Sequence, residues 1–121
     1  MDAWLQAVSR CDVDGVVALY EEKAQFWGTM GSRLCRGTED IRGYFSRFLN
    51  RYWMQADLLD LHWQRSGDRI LLAGAYRFSW RDEPDHELID ARARFTFVLS
   101  PTETGWRICQ HHSSAWVVGG L

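Results

Sequence analysis

His112 and Ser114, two residues apart in an alternating run near the C-terminus, and Arg94 in an earlier run of the same kind, are the first residues that could do chemistry. A histidine serves as acid or base near neutral pH. A buried arginine either pairs with an acid or leaves a positive hollow for a carboxylate. The trio fits a site that moves a proton or holds an anion. It fits equally well two sheet-edge hydrogen bonds and an ion pair of Arg94 with Asp90. Asp60 and Asp90 lie in strand patterns where either can point inward. There an apolar cavity would raise a carboxyl into the range of an acid–base catalyst; at the surface or ion-paired they would do no chemistry. His111 and His112 are adjacent in one strand and face opposite sides, so they cannot chelate one ion together. His62 is the other plausible contributor, and neither a metal nor another cofactor is expected. A Ser–His hydrolase is disfavoured because no nucleophile-elbow motif is present. Tyr20, Trp27, Tyr44, Phe45, Phe48, Tyr76 and Phe78 could wall a cavity for a flat apolar ligand, with tyrosine hydroxyls holding a carbonyl. They could also be plain core packing.

These residues need elements to carry them. Ala3 to Arg10 reads as a helix capped by Asp2, with Trp4, Leu5 and Val8 on its apolar side. Asp12 can cap a second, in which Val13, Val16, Val17 and Tyr20 recur at i, i+3, i+4 and i+7. A short strand follows around Ala24 to Trp27, then a turn bracketed by Gly28 and Gly31, then a short strand at Leu34–Arg36. Thr38 caps a third helix, with Glu39 and Asp40 in its first turn; Ile41, Tyr44, Phe45, Phe48 and Leu49 keep its period. Beyond Met54 the chain reads as four strands, Gln55–Gln64, Ile70–Trp80, Glu87–Leu99 and Trp106–Trp116, joined by turns. Helices followed by a meander predict an α+β domain spanning residues 1–121, its helices packed on one face of a curved sheet.

Alternation splits each strand into two faces. The even side of the Ile70 strand, with Tyr76, Phe78 and Trp80, is the more apolar and is expected to meet the helices. In the Glu87 strand Asp90, Arg92, Arg94, Thr96 and Val98 share one face; Phe95, Phe97 and Leu99 share the other. In the last strand Trp106, Ile108, Gln110, His112, Ser114 and Trp116 fall together. The sheet side carrying Phe95, Phe97 and Leu99 is too apolar for water, so a homodimer through the sheet is expected.

Composition narrows the classes. The 121 residues include 7 Trp, 4 Tyr and 6 Phe, and all the basic residues but Lys23 are arginine. A net charge of -2 argues against a nucleic-acid partner. Arg47 and Arg51 lie four residues apart, as a solvated helix face would place them. No run reaches the ~20 apolar residues of a membrane span, so no membrane partner is expected. Cys11, Cys35 and Cys109 are odd in number and far apart, which fits free thiols in a reducing cytoplasm, and the N-terminus shows no secretory pattern.

One resemblance runs through nearly the whole chain. Leu19-Tyr20 with Ala24 and Phe26-Trp27, Arg36-Gly37 before Ile41, Tyr44 and Phe45, then Ala93-Arg94-Phe95-Thr96-Phe97-Val98-Leu99, Trp106-Arg107-Ile108 and His111-His112-Ser113-Ser114 resemble the SnoaL-like branch of the nuclear-transport-factor-2-like superfamily. Within it, the chain is most similar to small proteins related to the calcium/calmodulin-dependent kinase association domain. The resemblance implies a cone: three N-terminal helices on a strongly curved, mostly antiparallel sheet, with a pocket at the open end. It sets Arg94, His112 and Ser114 on matching positions, and some relatives line the cavity with such arginines. Proton-shuttling members use a buried acid; many relatives carry one just before the alanine of the first strand, where this chain has Lys23. The implied partner is a small apolar or carboxylate-bearing molecule, in cofactor-free isomerisation, cyclisation or dehydration. The alternative is a non-catalytic association module. A pocket of several hundred Å³ with convergent polar groups would favour the ligand; a cone filled by side chains would favour assembly.

Overall fold

The apolar spacing of the first nine residues builds α1 (Asp2–Ser9), which buries Trp4, Leu5 and Val8 together. Residues 1–120 are described by a computed structural model. Asp12 caps α2 (Val13–Val17), its side chain accepting the Gly15 N–H at 2.9 Å. This helix stops short of Tyr20. Three valines and a glycine give five residues little helical preference, and the sheet claims the next segment: the Ile108 N–H donates to the Leu19 carbonyl at 2.8 Å. Tyr20 therefore opens β1 (Tyr20–Trp27) instead of closing a helix. After β2 (Cys35–Arg36), α3 runs Gly37–Phe48 and buries Ile41, Tyr44, Phe45 and Phe48 as their spacing predicts. Its start lies just before the expected cap Thr38, and the Asp40 carboxylate accepts the Arg36 N–H at 3.0 Å.

Four long strands follow: β3 (Trp53–Ser66), β4 (Arg69–Arg81), β5 (Ile89–Thr102) and β6 (Gly105–Ala115). They join β1 and β2 in one six-stranded sheet of order β2-β1-β6-β5-β4-β3. Every neighbouring pair is antiparallel except β1 and β6, which run parallel. The expected α+β architecture holds, with the helices on one side of a curved sheet. The register of β3 slips between Leu58 and Asp60, opposite Tyr76 and Ala75, with Gly74 the next residue along. A bulge of this kind bends a strand and increases its twist. It also explains the glycine: a Cβ at Gly74 would lie 2.0 Å from the Asp60 carbonyl oxygen.

Register decides the faces. Directly paired residues share a side of the sheet, and Tyr76 pairs with Ala93, Gly74 with Phe95 and Leu72 with Phe97. The apolar side of β5 is therefore the same side as the apolar side of β4, and both meet the helices. This corrects the expectation of an interface at Phe95 and Phe97, which are 4% and 1% exposed and lie in the core. The opposite, convex side carries Arg77 against Arg92, Ala75 against Arg94 and Ala73 against Thr96. No helix among the described residues is long and apolar enough to cross a membrane.

Phe97 packs its ring 3.8 Å from that of His111 and 5.5 Å from that of Trp4. Removing a fully buried aromatic ring costs both its transfer energy and a cavity, about 3–5 kcal/mol. Urea unfolding of Phe97→Ala should show a loss of that size. A loss below about 1 kcal/mol would put Phe97 outside the core.

Candidate functional site

The last strand places its histidines by an irregularity. Between Val98–Gln110 and Leu99–Ile108 the β5–β6 register slips, leaving Cys109 as an extra residue. Ile108 faces the helices before the slip, and His111 and Ser113 face them after it. Simple alternation, which puts Ile108 and His112 on one face, fails at that point. His112 consequently lies on the convex side and is exposed, its ring stacked near that of Trp27.

Inside the cone a chain of hydrogen bonds crosses the core. The Trp4 indole N–H donates to the Tyr20 hydroxyl at 3.1 Å, and that hydroxyl lies 2.8 Å from His111 Nδ1. His111 Nε2 lies 3.2 Å from the Tyr76 hydroxyl, which donates to Ser113 Oγ at 2.6 Å. Ser113 Oγ in turn meets Thr29 Oγ1. The two ends fix the direction. An indole N–H only donates, so the Tyr20 oxygen accepts and its proton goes to Nδ1. Tyr76 spends its proton on Ser113, so it accepts from Nε2. His111 is thus the neutral tautomer protonated at Nε2.

The electrostatics agree. His111 is sandwiched between the rings of Phe26 and Phe97. Burial holds its pKa well below the usual histidine range, with the neighbouring His112 adding to the effect. Burial likewise pushes the hydroxyls of Tyr20 and Tyr76 up, so both stay protonated. Every member of the chain is uncharged at neutral pH.

These groups lie along a narrow cavity whose wall includes Phe45, Phe48, Phe78, Trp80, Ala91 and Ala93 as well as Thr29, Tyr44, Tyr76, His111 and Ser113. The space that a water-sized sphere can occupy is about 30 Å³, room for about two water molecules. The turn after β1 borders it through Thr29 and Met30, and the Met30 N–H donates to the Tyr44 hydroxyl at 3.2 Å. Gly28 permits this seat, because a Cβ there would lie 2.3 Å from the Tyr44 ring. Beyond Met30 lie wider grooves of about 150 and 370 Å³, both bordered by Arg47.

Of the residues expected at the site, Tyr20, Tyr44, Phe45, Phe48, Tyr76 and Phe78 are brought together in the cone. Trp27, Asp60, Asp90, Arg94, Thr96, His112 and Ser114 are not. Asp60 reaches His62 at 3.1 Å on the exposed side. Asp90 accepts from Ser79 at 3.3 Å and lies 3.8 Å from Arg77, so the acid expected to pair with Arg94 serves another arginine. Arg94, Thr96 and Ser114 share the convex face through their pairings with Ala75, Ala73 and one another's strands. Sequence reasoning missed Trp4, Thr29, His111 and Ser113 as a set. Alternation within one strand held no sign of them; only the slip at Cys109 turns His111 and Ser113 inward. None of the cavity's lining residues is an aspartate or glutamate. The donor atoms of Glu83, Asp85 and His86 come within 4.8 Å of one another in the exposed β4–β5 turn, a spacing that exposed acidic turns reach without an ion.

The buried neutral histidine sets a pH dependence. On acidification the unfolded chain takes up a proton near the ordinary histidine value of about 6.5, while folded His111 does not. Stability is therefore complete above that value and falls below it, by up to about 1.4 kcal/mol per pH unit for this one proton. Urea unfolding between pH 7.5 and 5.5 should show that slope, and His111→Gln should remove that part of it. An unchanged slope in the variant would contradict the assignment.

Comparison with known proteins places these features. No curated protein matches the sequence. Among solved structures, the chain is similar to a putative calcium/calmodulin-dependent protein kinase II association domain from Xanthomonas campestris (26% identity over 97% of this chain and 83% of that one, TM-score 0.86). It shares its fold with a putative dehydratase of the nuclear-transport-factor-2-like family from Streptomyces avermitilis (18%, 97% and 91%, TM-score 0.87). A ketosteroid isomerase-like protein from Erwinia carotovora atroseptica has the same fold (19%, 96% and 90%, TM-score 0.77). The model of the SnoaL-like domain matches residues 1–118, and the chain belongs to that family.

Proposed function

We propose that the cone binds a small, largely apolar molecule, and that the chain from Trp4 to Thr29 forms the polar end of its site. The carrying observation is the uncharged relay Tyr20–His111–Tyr76–Ser113, of which His111, Tyr76 and Ser113 line a cavity. Packing alone does not call for six polar groups in sequence, and a fully satisfied buried network specifies a unique arrangement. The chemistry such a relay supports is cofactor-free: isomerisation, cyclisation or dehydration, with the one hydroxyl proton of the Ser113–Thr29 pair not spent between them donating to a developing oxyanion and the histidine and tyrosines behind them passing the proton. The names of two fold relatives, a dehydratase and a ketosteroid isomerase-like protein, are in keeping with that class. Tyr44, Phe45, Phe48 and Phe78 supply the apolar wall. Entry requires Met30 to swing aside, since the closed cavity holds only about two waters' worth of space. The three free thiols suit a cytoplasmic protein.

A second reading, a non-catalytic association module, draws on a different observation. At the β3–β4 hairpin end, Leu61, Trp63 and Trp106 are exposed, next to an apolar hollow of about 180 Å³ walled by Met1, Leu19, Leu72 and Leu99. Contiguous apolar surface of this kind marks contact sites, and the largely filled cone suits it. A homodimer would then form through this end of the sheet. A chain that stays monomeric by light scattering at high micromolar concentration would reject this reading.

The ligand reading is tested with 1-naphthol and isotope-labelled protein. Chemical shifts should move at Thr29, Tyr76, His111 and Ser113. Ser113→Ala should weaken binding about fivefold, the worth of one hydrogen bond. Shifts confined to the outer surface, or an unchanged Kd in the variant, would refute it.

A further inference from the structure

Trp80 carries a donor that its surroundings do not use. It stands on β4 opposite Ile89, lines the cavity and is 6% exposed. Its indole nitrogen is shielded from solvent and finds no acceptor among the described residues. Orphaned buried donors are rare and costly, and a phenylalanine would pack this wall without one, as Phe48 and Phe78 do beside it.

The ring is also held in a fixed orientation. The Arg51 guanidinium lies 4.8 Å from the ring centroid. Arg51 is itself tied down: its Nε donates to the Phe48 carbonyl at 3.0 Å, and its Nη1 donates to Asp82 at 2.5 Å. A cation over an indole face is attractive, and by drawing on the ring's electrons it makes the N–H a better donor. Trp80 thus borders the same cavity as Ser113 and Thr29, with Phe48, Phe78 and Ala91 also in its wall.

The chemistry of the acceptor follows from the donor. One uncharged N–H in a wall of aromatic rings suits a neutral oxygen. A carboxylate buried there would need a cation or several donors. Arg92 borders the cavity, but its register position opposite Arg77 is on the convex side. We infer that Trp80 is a ligand-binding residue whose indole N–H takes the carbonyl oxygen of a flat, uncharged aryl ketone. The inference rests on the cone being a binding site.

Acetophenone and ethylbenzene test it, because they share a shape and differ in the carbonyl oxygen. In nitrogen-15-labelled protein the Trp80 indole signal, assigned through its contact with Phe48, should move downfield with acetophenone and stay in place with ethylbenzene. Acetophenone should bind about fivefold more tightly than ethylbenzene, and Trp80→Phe should bring the ratio to about one. If both compounds shift cone resonances with equal affinity and the indole signal does not respond, the role of Trp80 is overturned while the binding cone stands. If neither compound shifts any cone resonance, both fall. Should Trp80→Phe fail to fold, the wild-type indole signal and affinity ratio decide the matter.

Discussion

The indole N–H of Trp4 can donate and cannot accept, and the polarity of the whole interior depends on that. Because Trp4 donates to Tyr20, the Tyr20 proton is committed to His111 Nδ1, and each later hydroxyl in the series has one remaining direction. The same indole stacks on Tyr76 with ring centroids 5.2 Å apart and planes within 7°. It also meets Phe45, Phe97 and His111 edge-on. One side chain from the first turn of α1 thus closes the cone, anchors the helix to the sheet and orients the relay. Hydrophobic packing supplies most of the energy here, but packing alone would tolerate other aromatic residues. The hydrogen bond is what requires a tryptophan.

Two local irregularities make that arrangement reachable. The slip in β6 at Cys109 turns His111 and Ser113 toward the helices, where Tyr20 and Tyr76 flank the histidine. The slip in β3 opposite Tyr76 and Ala75, with Gly74 making room for the Asp60 backbone beside it, bends the sheet at the strand pair that carries Tyr76. A side-chain period of two makes a one-residue slip exchange the faces of everything beyond it. The buried and exposed histidines of the pair His111–His112 are distinguished by this alone.

How far the sequence discloses such a structure can be argued from these same residues. Helix α3 is legible because Ile41, Tyr44, Phe45 and Phe48 repeat at the helical period and all four are buried. β4 is legible because its even side is plainly the more apolar, and Tyr76, Phe78 and Trp80 do face the helices. The motif residues that resemble the SnoaL-like branch lead to the right fold. The site is less legible, for two physical reasons. Alternation within a strand does not reveal how that strand is paired, so the apolar side of β5 looks free until Leu72–Phe97 and Gly74–Phe95 place it in the core. Nor does composition reveal a bulge, so His112 and Ser114 look as eligible as His111 and Ser113. Tyr20 shows the competition between levels: its spacing continues a helix, while the parallel pairing with β6 draws it into the sheet.

The small resting cavity bears on function through what closes it. Three hydrogen bonds hold the turn beside the cavity: the Met30 N–H to the Tyr44 hydroxyl, Thr29 Oγ1 with Ser113 Oγ, and the Gly31 N–H to the Gly28 carbonyl; the Met30 side chain itself is 63% exposed. A hydrogen bond of that type contributes about 1 kcal/mol net, and Gly28 beside it gives the turn conformational freedom. In the proposed binding reading, opening this turn costs about that much for each bond broken, which ligand contacts must offset. Resting volume is therefore a poor measure of what the cone admits, and the nature of its wall is a better one. That wall has neutral donors, aromatic faces and no carboxylate, which favours a neutral ligand on the same ground that makes His111 neutral: charge is expensive in this space. The apolar hollow of Met1, Leu72 and Trp106 shares Trp4 with the cavity and otherwise has walls of its own. Met30, Thr29 and Tyr44 take no part in it, so an assembly built on that surface would leave the lid free to open. The two proposed readings, association at the hollow and binding in the cone, therefore meet at Trp4 and otherwise draw on different lining residues.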